Sequence, residues 1–400
     1  MENRSQSSLA QFDFSALAHT MHVAEERMSN TTTGTPAYSP GLAGVIAGES
    51  AICYVDENSG LRYRGYDVHD LADHATFEQV AYLMIYGDMP DADQLKHFRT
   101  QLVDEARLPD DVVKILRLLP KTMHPMDFMR TGVSALAAYD ADLNDHSIEA
   151  NKRKSVRLLA KMNVLAAAGG RVREGKDVLL PKHGLSHAAN FLYMLAGQVP
   201  EDFKARAIDI LYILYAEHEF NASTFAARVT VSTLSDIYAA CTSALGTLKG
   251  PLHGGANEEA MGVLEEIGSP ENVAAWVKDK LSHRAKVMGF GHRVYRTGDS
   301  RVPVMRKLAT EIENRLDQHK WVAICQELEA VMEREKKLYA NADLYAAPIF
   351  NMLKIPVDLN TPMFAASRCC GWAAHVIEQL ANNRIIRPRS IYNGPDLRKV

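Results

Sequence analysis

Apolar residues recur at helical spacing along most of the chain. Phe77, Val80, Ala81 and Met84 fall at i, i+3, i+4 and i+7, and Gly87 follows where a helix can stop in a left-handed conformation. Leu95, Phe98 and Leu102 repeat the pattern behind Asp91, an N-cap candidate. Met126, Met129, Val133 and Ala137 mark a third apolar face. The same reading predicts helices over 154–168, 187–197, 202–218 and 233–248. Beyond a turn at 251–258 it predicts a helix carrying Met261 and Leu264, two charged helices near 303–317 and 321–338, and one long helix from Thr361 to Asn382. Only the stretch from Ala51 to Tyr66 reads as strand: Ile52 and Tyr54 on one side and Tyr63-Arg64-Gly65-Tyr66 on the other flank a turn at 56–60. No series of Val/Ile-rich strands alternates with helices, which argues against a doubly wound sheet. The expected fold class is all-α with a minor N-terminal β-hairpin.

Residues 1–40 read differently. Ser29-Asn30-Thr31-Thr32-Thr33-Gly34-Thr35-Pro36 is a polar linker, and the segment is expected to be a mobile arm in which Leu17 and Met21 offer at most one docking turn. It carries Glu2, Asp13, Glu25 and Glu26 without a long apolar core, so neither a secretory signal nor a transit peptide is expected. At 400 residues, 47% hydrophobic and 24% charged, the chain has the composition of a soluble globular protein with more than one domain. A formal net charge of -4 gives no reason to expect nucleic acid or an anionic membrane as partner. The five cysteines, Cys53, Cys241, Cys325, Cys369 and Cys370, are odd in number and irregular in spacing; reduced thiols and a cytoplasmic location are expected.

Chemistry concentrates where periodicity lapses. Gly289 and Gly291 flank Phe290 and precede His292, with Arg296 and Arg301 close behind, so one segment offers an imidazole and two permanent cations to an anionic carbonyl compound. His218, His253, Asp343, Arg368 and Arg387 complete the candidates. No serine or cysteine nucleophile motif, phosphate loop or dinucleotide fingerprint is present. His183 and His187 have a metal-friendly spacing, but no neighbouring ligand completes a site, so no metal is expected. Imidazoles, one carboxylate and several arginines suit proton abstraction beside a carbonyl: the carboxylate removes the proton, donors stabilise the enol, and arginines hold carboxylates.

At these residues the sequence resembles the citrate synthase family, including its 2-methylcitrate synthase relatives. The stretches that carry the resemblance are Tyr215-Ala216-Glu217-His218-Glu219-Phe220-Asn221-Ala222-Ser223-Thr224, Gly250-Pro251-Leu252-His253-Gly254-Gly255-Ala256-Asn257, Gly289-Phe290-Gly291-His292-Arg293-Val294-Tyr295, Asn341-Ala342-Asp343 and Gly371-Trp372-Ala373-Ala374-His375. The resemblance implies a two-domain helical fold, with 41–254 and 355–400 forming a large domain and 255–354 an inserted small one. It implies that His253 hydrogen-bonds the thioester carbonyl of acetyl-CoA, that Asp343 removes the methyl proton, and that His292 protonates the oxaloacetate carbonyl. It implies oxaloacetate ligands at His218, Arg301 and Arg368, with Arg387 supplied by the other subunit of a homodimer, and CoA contacts at Arg296, Lys336, Gly289 and Gly291. Acetyl-CoA is then a substrate, and no cofactor is expected. Two departures lie beside the acyl pocket: Leu344-Tyr345-Ala346-Ala347 follows Asp343 where many citrate synthases carry an aromatic pair and Ser-Gly, and Cys369-Cys370 follows Arg368. Met123-His124-Pro125-Met126-Asp127 leans toward the methylcitrate synthases, and the Leu252 and Arg293 contexts lean toward citrate synthases. Both acyl-CoAs are therefore open, since a methylene is worth only about 1–3 kcal/mol in a pocket.

Overall fold

The computed structural model describes residues 38–58, 60–292 and 294–400. Residues 1–37 of the expected arm, with its docking turn at Leu17 and Met21, lie outside the described residues. Residues 38–49 hold one 3-10 turn, Pro40–Leu42. Residues 50–400 form a separate compact unit with sixteen α-helices among the described residues.

The unit begins with three short antiparallel strands rather than the expected hairpin: β1 (Cys53–Val55), β2 (Leu61–Tyr63) and β3 (Tyr66–Asp67). Cys53 pairs with Tyr63 and Tyr63 in turn with Tyr66, because Arg64 and Gly65 both take positive φ and close a two-residue turn. The helices follow: α1 (Val68–His74), α2 (Phe77–Tyr86), α3 (Ala92–Asp104), α4 (Asp110–Leu118), α5 (Pro125–Leu136), α6 (Ile148–Arg173), α7 (His187–Ala196), α8 (Asp202–Tyr215), α9 (Ala222–Ser232), α10 (Ile237–Leu248), α11 (Ala256–Ile267), α12 (Val273–Ser282), α13 (Val302–Leu316), α14 (Trp321–Lys336), α15 (Ala342–Met352) and α16 (Asn360–Ala381).

Local signals account for many of the boundaries. Thr76 and Gln79 form a capping box that opens α2, and Gly87 ends it at φ 104°. Asp91 and Gln94 do the same for α3. Two expectations need correction. The segment expected as 202–218 stops at Tyr215, and His218 sits in the loop beyond it. The segment expected to start at 233 starts at Ile237, after a separate helix α9 that Asn221 caps by accepting the Thr224 N–H. Asn341-Ala342-Asp343 opens a further helix, α15, with the Asn341 side chain accepting from Asp343 N. The signals were masked by Thr and Val in α9 and by Pro348 inside α15.

Helix α16 is the axis of the unit. It is buried from Asn360 to Val376 and packs on α2, α6, α8, α9 and α10. Gly371 makes that possible: a Cβ there would collide with the Ala216 carbonyl and the Glu217 carboxylate. Helices α11 and α13 pack against α15, and α12 packs against α14. No helix among the described residues is long and apolar enough to cross a membrane.

Candidate active site

Three loops and two helices converge on the candidates. The loop after α8 carries His218, the turn between α10 and α11 carries His253, and the segment before α13 carries His292, Asp299 and Arg301. Asp343 stands in the first turn of α15, and Arg368 lies in the middle of α16.

His253 belongs to a tight turn in which its own N–H donates to Gly250 O at 2.9 Å. Gly254 and Gly255 are required there, because a Cβ on either would strike the end of α10 at Leu248 or Lys249. Ser223 offers His253 Nε2 its backbone N–H at 3.3 Å and its hydroxyl at 2.9 Å. A backbone N–H can only donate, so Nε2 is the acceptor and the ring proton sits on Nδ1. Burial, and then Arg368, lower the His253 pKa to about 3, so the ring is neutral.

His292 has the opposite tautomer. Its Nδ1 accepts the N–H groups of Val294 and Tyr295 at 3.1 and 3.2 Å, which leaves the proton on Nε2. Burial, assisted by Arg301, lowers its pKa to about 4. The turn before it is held against α15's approach: Gly291 N donates to Tyr339 O, Asn341 N to Gly289 O, and Asn341 Nδ2 to Gly291 O at 3.1 Å. Gly289 and Gly291 take φ of 87° and 80°, and a Cβ on Gly289 would press on Leu344. His218 is buried, with its ring 5.0 Å from that of His292 and its Nε2 3.1 Å from the Tyr295 hydroxyl. Burial and the arginines push its pKa well down.

The cations are arranged around these rings. Arg301 is buried and meets Asp299 edge-on, with Nε to Oδ1 at 2.9 Å and Nη2 to Oδ2 at 2.6 Å. Burial alone would raise the Asp299 pKa, but Arg301 outweighs it and holds that carboxyl well below the usual range. Asp299 Oδ2 also accepts Ala342 N–H, so one carboxylate joins Arg301 to the start of α15. Arg368 is 1% exposed, donates from Nε to Tyr215 O at 2.6 Å, and lies over the Phe364 ring. Its Nη1 is buried with no partner, a cost that a bound carboxylate would relieve. Phe364 stacks on Tyr215 and approaches His253 edge-on at 6.5 Å between centroids, which links Arg368 to His253. Asp343 is half-buried; burial raises its pKa to about 7, with Arg301 pulling it down and Asp299 adding to the rise.

His218, His253, His292, Arg301, Arg368 and Asp343 thus share one neighbourhood. Arg296 does not join them in this structure: it is exposed and its Nε pairs with Glu57 at 3.0 Å, its own N–H donating to Glu57 O. Lys336 lines a separate cleft of ≈ 440 Å³ with Pro251, Leu252, Val287, Phe290 and Asn341. Arg387 is exposed on the irregular segment after α16. Of the two histidines with metal-like spacing, His183 is exposed and 3.3 Å from Asp104, whereas His187 is buried and stacked on Phe77. Asp299 and Ser223 were missed by the sequence reading. Asp299, between Gly298 and Ser300, looks like any turn residue, and Ser223 like a second cap beside Asn221.

Comparison with known proteins agrees with this geometry. The family described as "Citrate synthase, C-terminal domain" matches residues 41–389. A Bacillus subtilis protein named citrate/2-methylcitrate synthase is 44% identical over 360 residues, 90% of this chain and 97% of that one. A 2-methylcitrate synthase of Mycobacterium tuberculosis is 42% identical over 384 residues, covering 96% of this chain and 97% of its own. The solved citrate synthase of Thermoplasma acidophilum, in a ternary complex with carboxymethyl coenzyme A and oxaloacetate, superposes with a TM-score of 0.87 at 33% identity, over 92% of this chain and 98% of that one. The chain belongs to the citrate synthase family and is an enzyme of its acyltransferase type.

Proposed function

We propose that the enzyme condenses acetyl-CoA with oxaloacetate and water to give citrate and CoA. The observation that carries this reading is the unpartnered Nη1 of buried Arg368 beside the Arg301 cluster, a seat for a small dicarboxylate. The oxaloacetate carboxylates would take that Nη1 and the Nη1 edge of Arg301, which Asp299 leaves open. His292 Nε2–H and His218 would hold the keto group. The acyl-CoA would lie along the cleft by Lys336, with its thioester carbonyl on His253 Nδ1–H. Asp343, with a pKa about 7, would take the α-proton as the enol forms against the neutral His253. The enol carbon then attacks the keto carbon, His292 gives its Nε2 proton to the new alkoxide, and water hydrolyses the resulting citryl-CoA.

Oxaloacetate ligands come from both sides of Pro251–Gly255, so 255–354 is proposed as a block that closes on 41–254 and 355–400 when oxaloacetate binds. Arg387 would complete the site of the second subunit of a homodimer. Propionyl-CoA is the second acyl donor to consider, because relatives with both names are similarly close and because Leu344-Tyr345-Ala346-Ala347 departs from the common pattern. Steady-state rates with each acyl-CoA and oxaloacetate test the reading. Release of CoA thiol with neither donor would remove it, and a higher kcat/KM for propionyl-CoA would reassign the enzyme as a 2-methylcitrate synthase.

A further inference from the structure

The motif Met123-His124-Pro125-Met126-Asp127 has no part in the chemistry above, yet it touches both ends of the turn that carries His253. It forms the N-terminus of α5. His124 is the N-cap, and its Nδ1 accepts the Met126 N–H at 3.2 Å. The ring proton is therefore on Nε2, which donates to Glu258 Oε2 at 3.1 Å. Glu258 stands in the first turn of α11, five residues after His253. Its other oxygen accepts from the hydroxyl of Thr361, a buried residue at the start of α16. Three residues along α5, Asp127 Oδ2 meets Lys249 Nζ at 2.5 Å, and Lys249 is the residue that ends α10, four before His253. Arg130 takes the other Asp127 oxygen at 3.0 Å.

One helical turn thus grips the entry and the exit of the His253 turn. Between the grips the backbone is packed too closely for any side chain at Gly254 or Gly255, so it moves as one piece. The His253 ring is held by Ser223 at Nε2, and its backbone by the turn itself. The same piece supplies Pro251 and Leu252 to the wall of the cleft beside Lys336. The oxaloacetate residues His218, His292, Arg301 and Arg368 are on other segments.

We propose that His124 and Asp127 are positioning residues: they clamp the 249–258 turn so that His253 and the adjacent cleft wall meet the acyl-CoA in register with Asp343. This rests on the condensation reading above for its kinetic consequence. His124→Asn separates the two roles of the residue, because asparagine caps a helix well but is too short to reach Glu258. Purified full-length His124→Asn and Glu258→Ala should each lose about ten- to hundredfold in kcat, the scale of an ångström's misplacement, and raise the acyl-CoA KM several-fold. The oxaloacetate KM should stay within about twofold, the double variant should be no worse than the poorer single one, and Glu258→Gln, which keeps the acceptor, should recover most of the loss. A readout that needs no turnover is the rate at which diethyl pyrocarbonate modifies His253, followed by mass spectrometry; it should rise several-fold in His124→Asn and not in Glu258→Gln. Wild-type kinetics and an unchanged His253 modification rate in His124→Asn overturn the clamp while leaving the condensation reading intact. A wild-type enzyme without condensing activity whose His253 is nonetheless loosened in His124→Asn overturns the condensation reading and keeps the clamp.

Discussion

Asp299 holds Arg301 by two parallel hydrogen bonds and, through the same Oδ2, accepts the first N–H of the helix that presents Asp343. Arg301, the proposed substrate cation, and Asp343, the proposed base, are therefore placed by a single carboxylate. Breaking a buried pair by removing one partner costs about 3–5 kcal/mol, because the charge left behind is unpaired. Asp299→Ala should lose about that much stability in urea unfolding and raise the oxaloacetate KM at least about tenfold. Asp299→Asn should fall between. Unfolding midpoints within about 0.5 kcal/mol of wild type would show that the pair does not organise the site.

Asp343→Asn keeps the shape of the side chain and removes its basicity. Turnover should drop roughly 10²–10⁴-fold with the oxaloacetate KM little changed. Steady-state kinetics checks this, and near-normal kcat would sink the assignment of the base.

The raised pKa of Asp343 has a sign that can be tested. From the ordinary value of 3.8 it rises to about 7 in the fold, so the native state binds the proton more tightly than the unfolded chain. The stability this proton lends is fully present below about pH 4 and is lost as pH rises through about 7. Asp343→Asn cannot suffer that loss. Its melting temperature should exceed that of wild type at about pH 8, and the difference should shrink steadily until the two converge at about pH 4. In the same window kcat/KM of the wild type should fall about tenfold per unit below pH 7, as the base becomes protonated. A melting difference that does not change with pH would place the titration elsewhere.

Arg387 follows Arg368 by the rest of α16, which ends at Ala381, and an irregular segment, and that stretch of helix alone rises about 20 Å. If it serves the neighbouring site, the inactive variants Arg387→Ala and Asp343→Asn should complement each other. A mixed dimer gathers both lesions in one site and leaves the other intact, so statistical mixing restores roughly a quarter of wild-type sites. Co-refolded variants that form mixed dimers and stay inactive would confine Arg387 to its own subunit.

Much of this was legible in the sequence. The apolar spacing gave α2, α3, α5 and α16 nearly to their ends, and the ordered motifs named six residues that lie near one another in the structure, but not Asp299 or Ser223 beside them. What escaped notice has physical causes. Helix α15 begins with Asn-Ala-Asp, a turn by composition, and becomes a helix because Asn341 and Asp299 both cap it, one of them from 43 residues away. The pairing of Arg296 with Glu57 joins residues far apart in the chain and carries no local signature. The tautomers of His253 and His292 depend on backbone N–H groups of Ser223 and Val294, whose directions only the folded chain fixes.

At Gly371, one helical turn beyond Arg368, α16 lies against the Ala216 carbonyl and the Glu217 carboxylate with no room for a side chain between them. On the proposed reading, the dicarboxylate end of the site is therefore a gauge of fixed width. A keto acid longer by one methylene would have to part α16 from the segment that carries His218, because Arg368 and His218 are both buried where they face it. The acyl end is walled by Leu252, Val287 and Phe290, whose rotamers can change. The two substrates are thus sorted by materials of different stiffness, and drift among relatives should widen the choice of thioester long before it widens the choice of keto acid.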